Sequence, residues 1–196
     1  QHVSDRSGVV TIDMGVQESG ALFPWQLQAM SQVKRIVRDG VRPVTNNLAL
    51  YKTARLMSHT TNEELPTNGA LWMHYAYYGV DGVVDIGNGI TSNRFAMPGN
   101  EWAWSFLLDL DFDTDFSRAI LTFPGTNFPT NFDLEVSKDA LSWTVVSHRE
   151  LTAGGTYTLT FPKVSARYVR VKSNKPDGPN QVGSQMGISE LELYKN

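Results

Sequence analysis

The sequence predicts an all-β domain, a sandwich or barrel, preceded by a short strand–helix segment. Three observations carry that prediction. From Asn46 to the C-terminus, short runs rich in β-branched and aromatic residues recur between turn signals. Within those runs apolar and polar residues alternate, as in Asp133-Leu134-Glu135-Val136, which sends one face inward and the other to solvent. Before Asn46 the period is different: Leu27, Met30, Val33 and Val37 recur at helical spacing.

Taken in order, residues 8–15 (GVVTIDMG) read as one short strand between glycines. A helix begins near Pro24, a residue suited to the first turn. Lys34, Arg35 and Arg38 favour its C-terminal dipole, and Gly40 and Pro43 stop it. Such a unit cannot bury itself, so Trp25 and the apolar face need a partner surface. Residues 41–47 read as a linker. The division expected is therefore 1–45, a strand–helix segment and linker, and 46–196, the β domain. Strands are expected at 104–111, 119–123, 132–137, 144–147, 156–161, 168–173 and 190–194. Residues 69–84, 124–131 and 174–186 read as loops.

The chain has 196 residues and a net charge of −3. That length suits one domain with a short appendage and a real core. No basic stripe stands out, which argues against nucleic acid. No apolar run is long enough to span a bilayer. The absence of cysteine excludes disulfides and thiolate zinc sites, and fits a secreted or cell-surface bacterial protein. Gln1 reads as a cut end, since the first residues are not a signal peptide. Five Trp, seven Tyr and nine Phe supply rings for a β core and for stacking on sugars.

Residues 77–95 (YYGVDGVVDIGNGITSNRF) gather Asp81, Asp85, Asn88 and Ser92 on a glycine-bent backbone. Carboxylate, amide, hydroxyl and carbonyl oxygens so arranged suit a hard cation such as Ca²⁺. One loop rarely completes such a shell, and Glu190 in GISELELY is the best distant partner. A solvated Asp-Gly turn would carry the same residues.

A resemblance enters at this point. NLALYKTA (47–54), VDG (80–82) followed by SNRF (92–95), EWAWSFLLDLD (101–111), NFDLEVSKDALSWTVV (131–146), RYVRVKS (167–173) and GISELELY (187–194) occur in one order. In that order they resemble the factor 5/8 type C (discoidin) domain, grouped in bacteria with family 32 carbohydrate-binding modules. The resemblance implies an antiparallel jelly-roll β-sandwich, galactose-binding-domain-like. It also implies a structural Ca²⁺ held by the Tyr78 carbonyl, the Asp81 carboxylate, the Asn93 position, the Ser189 carbonyl and the Glu190 carboxylate. The segment between Gly82 and Asn93 is longer than the family's, so Ser92 or Asp85 is a substitute ligand. The family's galactose site uses a His, an Arg and an aromatic; the corresponding places here hold Ala96 or Met97, residues 123–125 and residues 185–186. None matches, so the ordinary galactose mode is not expected. The N-terminal piece more faintly resembles the last strand–helix unit of family 29 α-L-fucosidases, which implies a catalytic domain of the same parent protein.

No motif selects a catalytic centre. The run Asp109, Asp111, Asp113, Asp115 fails as an EF-hand, because Thr114 holds the glycine place and Ile120 the closing glutamate place. It reads as a strand with an acidic outer face. No His-Glu-x-x-His or Gly-x-Ser-x-Gly pattern occurs, and His148 reads as a surface residue. The aromatic stretch 71–79 places Trp72, His74 and Tyr75 in a loop, where rings either stack on a sugar or plug one end of the sandwich. Asn127, Phe128 and Asn174 join them from the other loops, which gather at one end of a sandwich. Phe128 and Trp72 would alternatively serve as apolar spikes of an adhesion domain. The sequence thus leads to a non-catalytic module that binds oligo- or polysaccharide, is stabilised by calcium, and serves an attached glycoside hydrolase. The competing expectation is a domain that only braces that enzyme.

Overall fold

A computed structural model describes residues 46–59, 61–65, 75–84, 96–98, 102–175 and 185–195. The chain divides into Gln1–Thr45 and Asn46–Asn196. The strand and helix expected in the first unit lie outside the described residues. The second unit is built from antiparallel strands: β1 (Thr53–Ser58), β2 (Trp104–Phe123), β3 (Asn131–Ser137), β4 (Thr144–Glu150), β5 (Gly155–Ser173) and β6 (Glu190–Tyr194). They order as β1-β2-β5-β3-β4, with β6 also beside β2.

Two strands serve both layers of the sandwich. The first part of β2 pairs with β1 and with residues 168–172 of β5. Its second part pairs with residues 155–166 of β5 and with β6. Between the parts the register breaks at Asp109/Thr114 and again at Phe116/Arg118, and Asp111 adopts φ 72. Extra residues on one strand bend it sharply, and here the bend turns the pair of strands from one layer into the other. Leu56, Phe106, Leu108, Leu134, Val169 and Val171 from one layer share a single core with Ala119, Leu121, Leu159, Leu191 and Leu193 from the other. Burying each of these side chains fully, Ala119 aside, is worth about 1.5–3 kcal/mol.

The all-β expectation holds, with three corrections. Residues 104–111 and 119–123 are one strand of 20 residues, and 156–161 and 168–173 one of 19. The acidic run and Pro162-Lys163 look like interruptions in sequence, but the strands bend there without parting. β1 was not among the strands expected, and of residues 47–54, whose likeness is to the family's opening strand, only the last two belong to it. Residues 48–51 turn, with Tyr51 at φ 60 and the Lys52 amide donating to the Ala49 carbonyl, and β1 starts at Thr53. The expected loop 69–84 includes a 3₁₀ turn at Ala76–Gly79.

The corner brings both ends of β2 to the same end of the sandwich. Phe123 and Phe132 meet edge to face at 5.2 Å, and Phe132 pairs with Ser173. Trp104 is wholly buried, and its indole N–H donates to the Met186 carbonyl at 3.1 Å, tying down the last long loop. This loop end and the opposite corner end, where β2 and β5 bend beside the β3–β4 hairpin, are the two regions where function has to be sought.

Candidate functional site: a carboxylate clasp and a loop rim

Asp81 and Glu190 meet. The Gly82 amide donates to both oxygens of Glu190, at 3.3 and 3.2 Å, across 108 residues of sequence. Gly82 sits at φ +78, a conformation that glycine adopts without strain. The turn is fixed by the Val83 amide donating to Asp81 Oδ1 at 2.9 Å. From the other side, the Ser189 amide donates to the Thr122 carbonyl, and Thr122 pairs with Glu190. Both acids are nearly inaccessible, at 4% for Asp81 and 1% for Glu190.

That arrangement is electrostatically costly for two anions. Burial, and then the neighbouring Asp81 charge, push the Glu190 carboxyl up to about 9, against the pull of the Gly82 amide. Tyr78 and Ser189, the two carbonyl positions expected, are buried beside the clasp at 2% and 0%. Ser92 and Asn93 lie outside the described residues. Ala96, which follows them, exchanges backbone bonds with Ile188 at 2.7 and 2.9 Å, two residues before Glu190. Among the described residues no three His, Cys, Asp or Glu side chains converge, so a complete oxygen shell here requires carbonyl, hydroxyl or amide donors as well.

Among the described residues, the loop at 124–130 is tied to residues 185–187 and 98. The Gly187 amide donates to the Asn127 carbonyl at 3.1 Å, and Asn127 Nδ2 donates to the Gln185 carbonyl at 3.3 Å. Gln185 Nε2 in turn donates to the Pro98 carbonyl at 3.3 Å. Asn127 is therefore a loop fastener. Phe128 is 4% exposed and belongs to the core, so it is not a loop-tip spike. Tyr75 is half-buried and stacks on Tyr77 at 6.3 Å, while Tyr77 and Tyr78 pack at 4.2 Å. Trp72 and His74 lie outside the described residues. Asn174 is exposed; its amide nitrogen donates to Asn131 Oδ1 at 3.0 Å. Asn131 and its partner Glu150 were not singled out in the sequence. Only the β3–β4 register brings them together, and no local pattern announces it.

The acidic run at the corner is fully engaged. Arg167 grips Asp109 with two bonds of 2.9 Å, Lys52 meets Asp111 at 2.6 Å, Lys138 meets Asp113 at 3.6 Å and Lys163 meets Asp115 at 2.8 Å. Among the histidines, exposed His148 bonds Asp133 through Nδ1 at 2.6 Å. His59, at the end of β1, is pushed down to about 4 by burial and by the Lys172 and Arg170 charges. Among the described residues no helix is long and apolar enough to cross a membrane.

Residues 79–171 match the F5/F8 type C family described as a NedA-like, galactose-binding domain. No curated protein's sequence matches the chain. Solved structures share its fold. Chitosan-binding module 1 of a chitosanase/glucanase from Paenibacillus sp. IK-5 is 24% identical, over 76% of this chain and 98% of that one, with a TM-score of 0.54. The lectin domain of lectinolysin, complexed with Lewis B antigen, is 21% identical over 76% and 96%, with a TM-score of 0.56. The family 32 module of Clostridium perfringens NanJ, in complex with galactose, is 16% identical over 73% and 93%, with a TM-score of 0.54. At these identities the likeness establishes the fold. Residues 79–171 are thus similar to an F5/F8 type C galactose-binding domain, and the β unit has the fold of these carbohydrate-binding modules.

Proposed function

We propose that this chain is a non-catalytic carbohydrate-binding module. Its loop end recognises an oligo- or polysaccharide, and its role is to hold an attached glycoside hydrolase, secreted or on the surface of a bacterium, near a polymer. Weak sugar binding serves that role by raising the local concentration of the tethered enzyme. The observation that carries the reading is the match of residues 79–171 to a galactose-binding domain whose loops are here stitched into one rim. Structural neighbours that were solved with sugars support it.

The rim is held by a structural calcium ion at the clasp. The donor set fits: two buried carboxylates stand together, and one of them is strained toward protonation. Asp81 and Glu190 supply the charge, the Tyr78 and Ser189 carbonyls add neutral oxygens, and Ser92 or Asn93 completes the shell. The ion neutralises two anions that burial makes expensive, and so fixes residues 81–84 against β6.

A glycan array tests the sugar reading. Binding to at least one plant, mucin or algal glycan is expected, and a blank array with folded protein contradicts it. One observation favours the bracing role instead. The places where the family's galactose site has its His and its aromatic are buried here: Ala96 at 0%, Met97 at 7%, Gln185 at 6% and Met186 at 0%. Any sugar is therefore held by other groups, and a blank array leaves bracing of the enzyme as the reading.

A further inference from the structure

Three side chains at the loop end form a row that no sequence pattern connects. Asn131 opens β3, Glu150 closes β4 and Asn174 follows β5. Asn174 Nδ2 donates to Asn131 Oδ1 at 3.0 Å, and Asn131 Nδ2 donates to Glu150 Oε1 at 3.2 Å. The bonds run one way, from amide to amide to carboxylate. Asn131 accepts through oxygen and donates through nitrogen, so its amide orientation is fixed. The backbone holds the same three strand ends: the Asn174 amide donates to the Asn131 carbonyl at 2.9 Å, and the Leu151 amide to the Thr130 carbonyl at 3.0 Å. Asn174 and Glu150 are exposed and Asn131 is half-exposed.

The row keeps unused capacity toward solvent. Each amide nitrogen has a second N–H, Asn174 has its carbonyl oxygen, and Glu150 has its second carboxylate oxygen. Among the described residues, the side-chain amides of Asn127 and Gln185 are turned inward onto the Gln185 and Pro98 carbonyls. A line of oriented donors ending in an acceptor that takes two hydroxyls matches neighbouring hydroxyls on a pyranose ring. Because strand ends already hold the row, little side-chain freedom is lost on binding. The carboxylate at its end repels acidic sugars.

We propose that the Asn174–Asn131–Glu150 row reads a vicinal diol of an uncharged sugar at the loop end. Glu150 accepts from one or both hydroxyls, and the amides donate to their oxygens. This rests on the carbohydrate reading above and adds the residues and the sugar class.

The test titrates the wild-type chain, Glu150→Gln and Asn131→Ala with chitotriose, galactose, Lewis b oligosaccharide and the best neutral hit of a glycan array, by calorimetry. Melting curves of each protein accompany the titrations. The expected result is a loss of about tenfold in affinity for the bound neutral sugar in Glu150→Gln, with an unchanged melting temperature. Asn131→Ala is expected to weaken binding at least as much. Wild-type binding that persists undiminished in both variants overturns the row alone. No binding of any glycan by folded wild-type protein overturns the carbohydrate reading, and the row with it.

Discussion

At the corner end, Asp109, Asp111, Asp113 and Asp115 crowd one short stretch, and each meets its own lysine or arginine at the surface. At the loop end, Asp81 and Glu190 come from opposite ends of the β domain and lie together in the interior. The corner carries the denser run of acids, reads in sequence as an acidic outer face, and is a set of ion pairs at the surface. The clasp, which in sequence suits either a cation or a solvated turn, is where two acids from distant segments are buried together. Exposed pairs are worth little, because water already solvates each charge. Two buried carboxylates side by side demand compensation. Density of acids along a chain is thus a poor guide to function, and burial of acids from distant segments is a better one.

The contrast can be broken first at the clasp. Glu190→Gln is expected to abolish the calcium-dependent gain in melting temperature. That gain should be about 2.7 kcal/mol at a hundredfold excess of calcium over Kd, or ~5–10 °C for a domain of this size. In EDTA the same variant is expected to melt no lower than wild type, since the amide needs no proton taken up on folding. Differential scanning calorimetry with and without calcium separates these outcomes.

The second expectation concerns pH. In calcium-free protein the folded Glu190 carboxyl titrates at about 9 against an ordinary value of 4.5. The folded state holds a proton that the unfolded state has released, so stability falls as pH rises through that window. Melting temperatures in EDTA should therefore decline from pH 5 to pH 9, and saturating calcium should flatten the decline. His59 has the opposite sign. Its ring is pushed down from 6.5 to about 4, so its contribution to stability is lost as pH falls through that range. Titration of the His59 ring by NMR should give a midpoint near 4.

A smaller effect is expected where the loops are fastened. Asn127→Ala removes the donor to the buried Gln185 carbonyl, which costs about 1–2 kcal/mol and lowers the melting temperature by ~2–8 °C. The smallest effect belongs to the corner. Asp113→Asn, which removes the 3.6 Å contact with Lys138, should move the melting temperature by no more than ~2 °C. A corner variant as damaging as a clasp variant would erase the distinction between the two ends.

The fold was legible wherever side-chain alternation coincided with one strand. β3 and β6 stand almost where the pattern put them. It was misread where a strand bends, because Asp111-Phe112-Asp113 and Pro162-Lys163 carry turn composition while the ladder continues on either side. The clasp was legible because a glycine after an aspartate and a glutamate on a closing strand are local signals. Phe128 was misjudged, since a phenylalanine in a loop gives no local sign of facing the core. Asn131 and Glu150 were illegible, since only the strand register makes them neighbours.

The most direct test of the account is calorimetric titration of calcium into EDTA-stripped, dialysed protein at pH 7. The account predicts a single site that is lost in Glu190→Gln. Binding to neither protein, or equal binding to both, would contradict it.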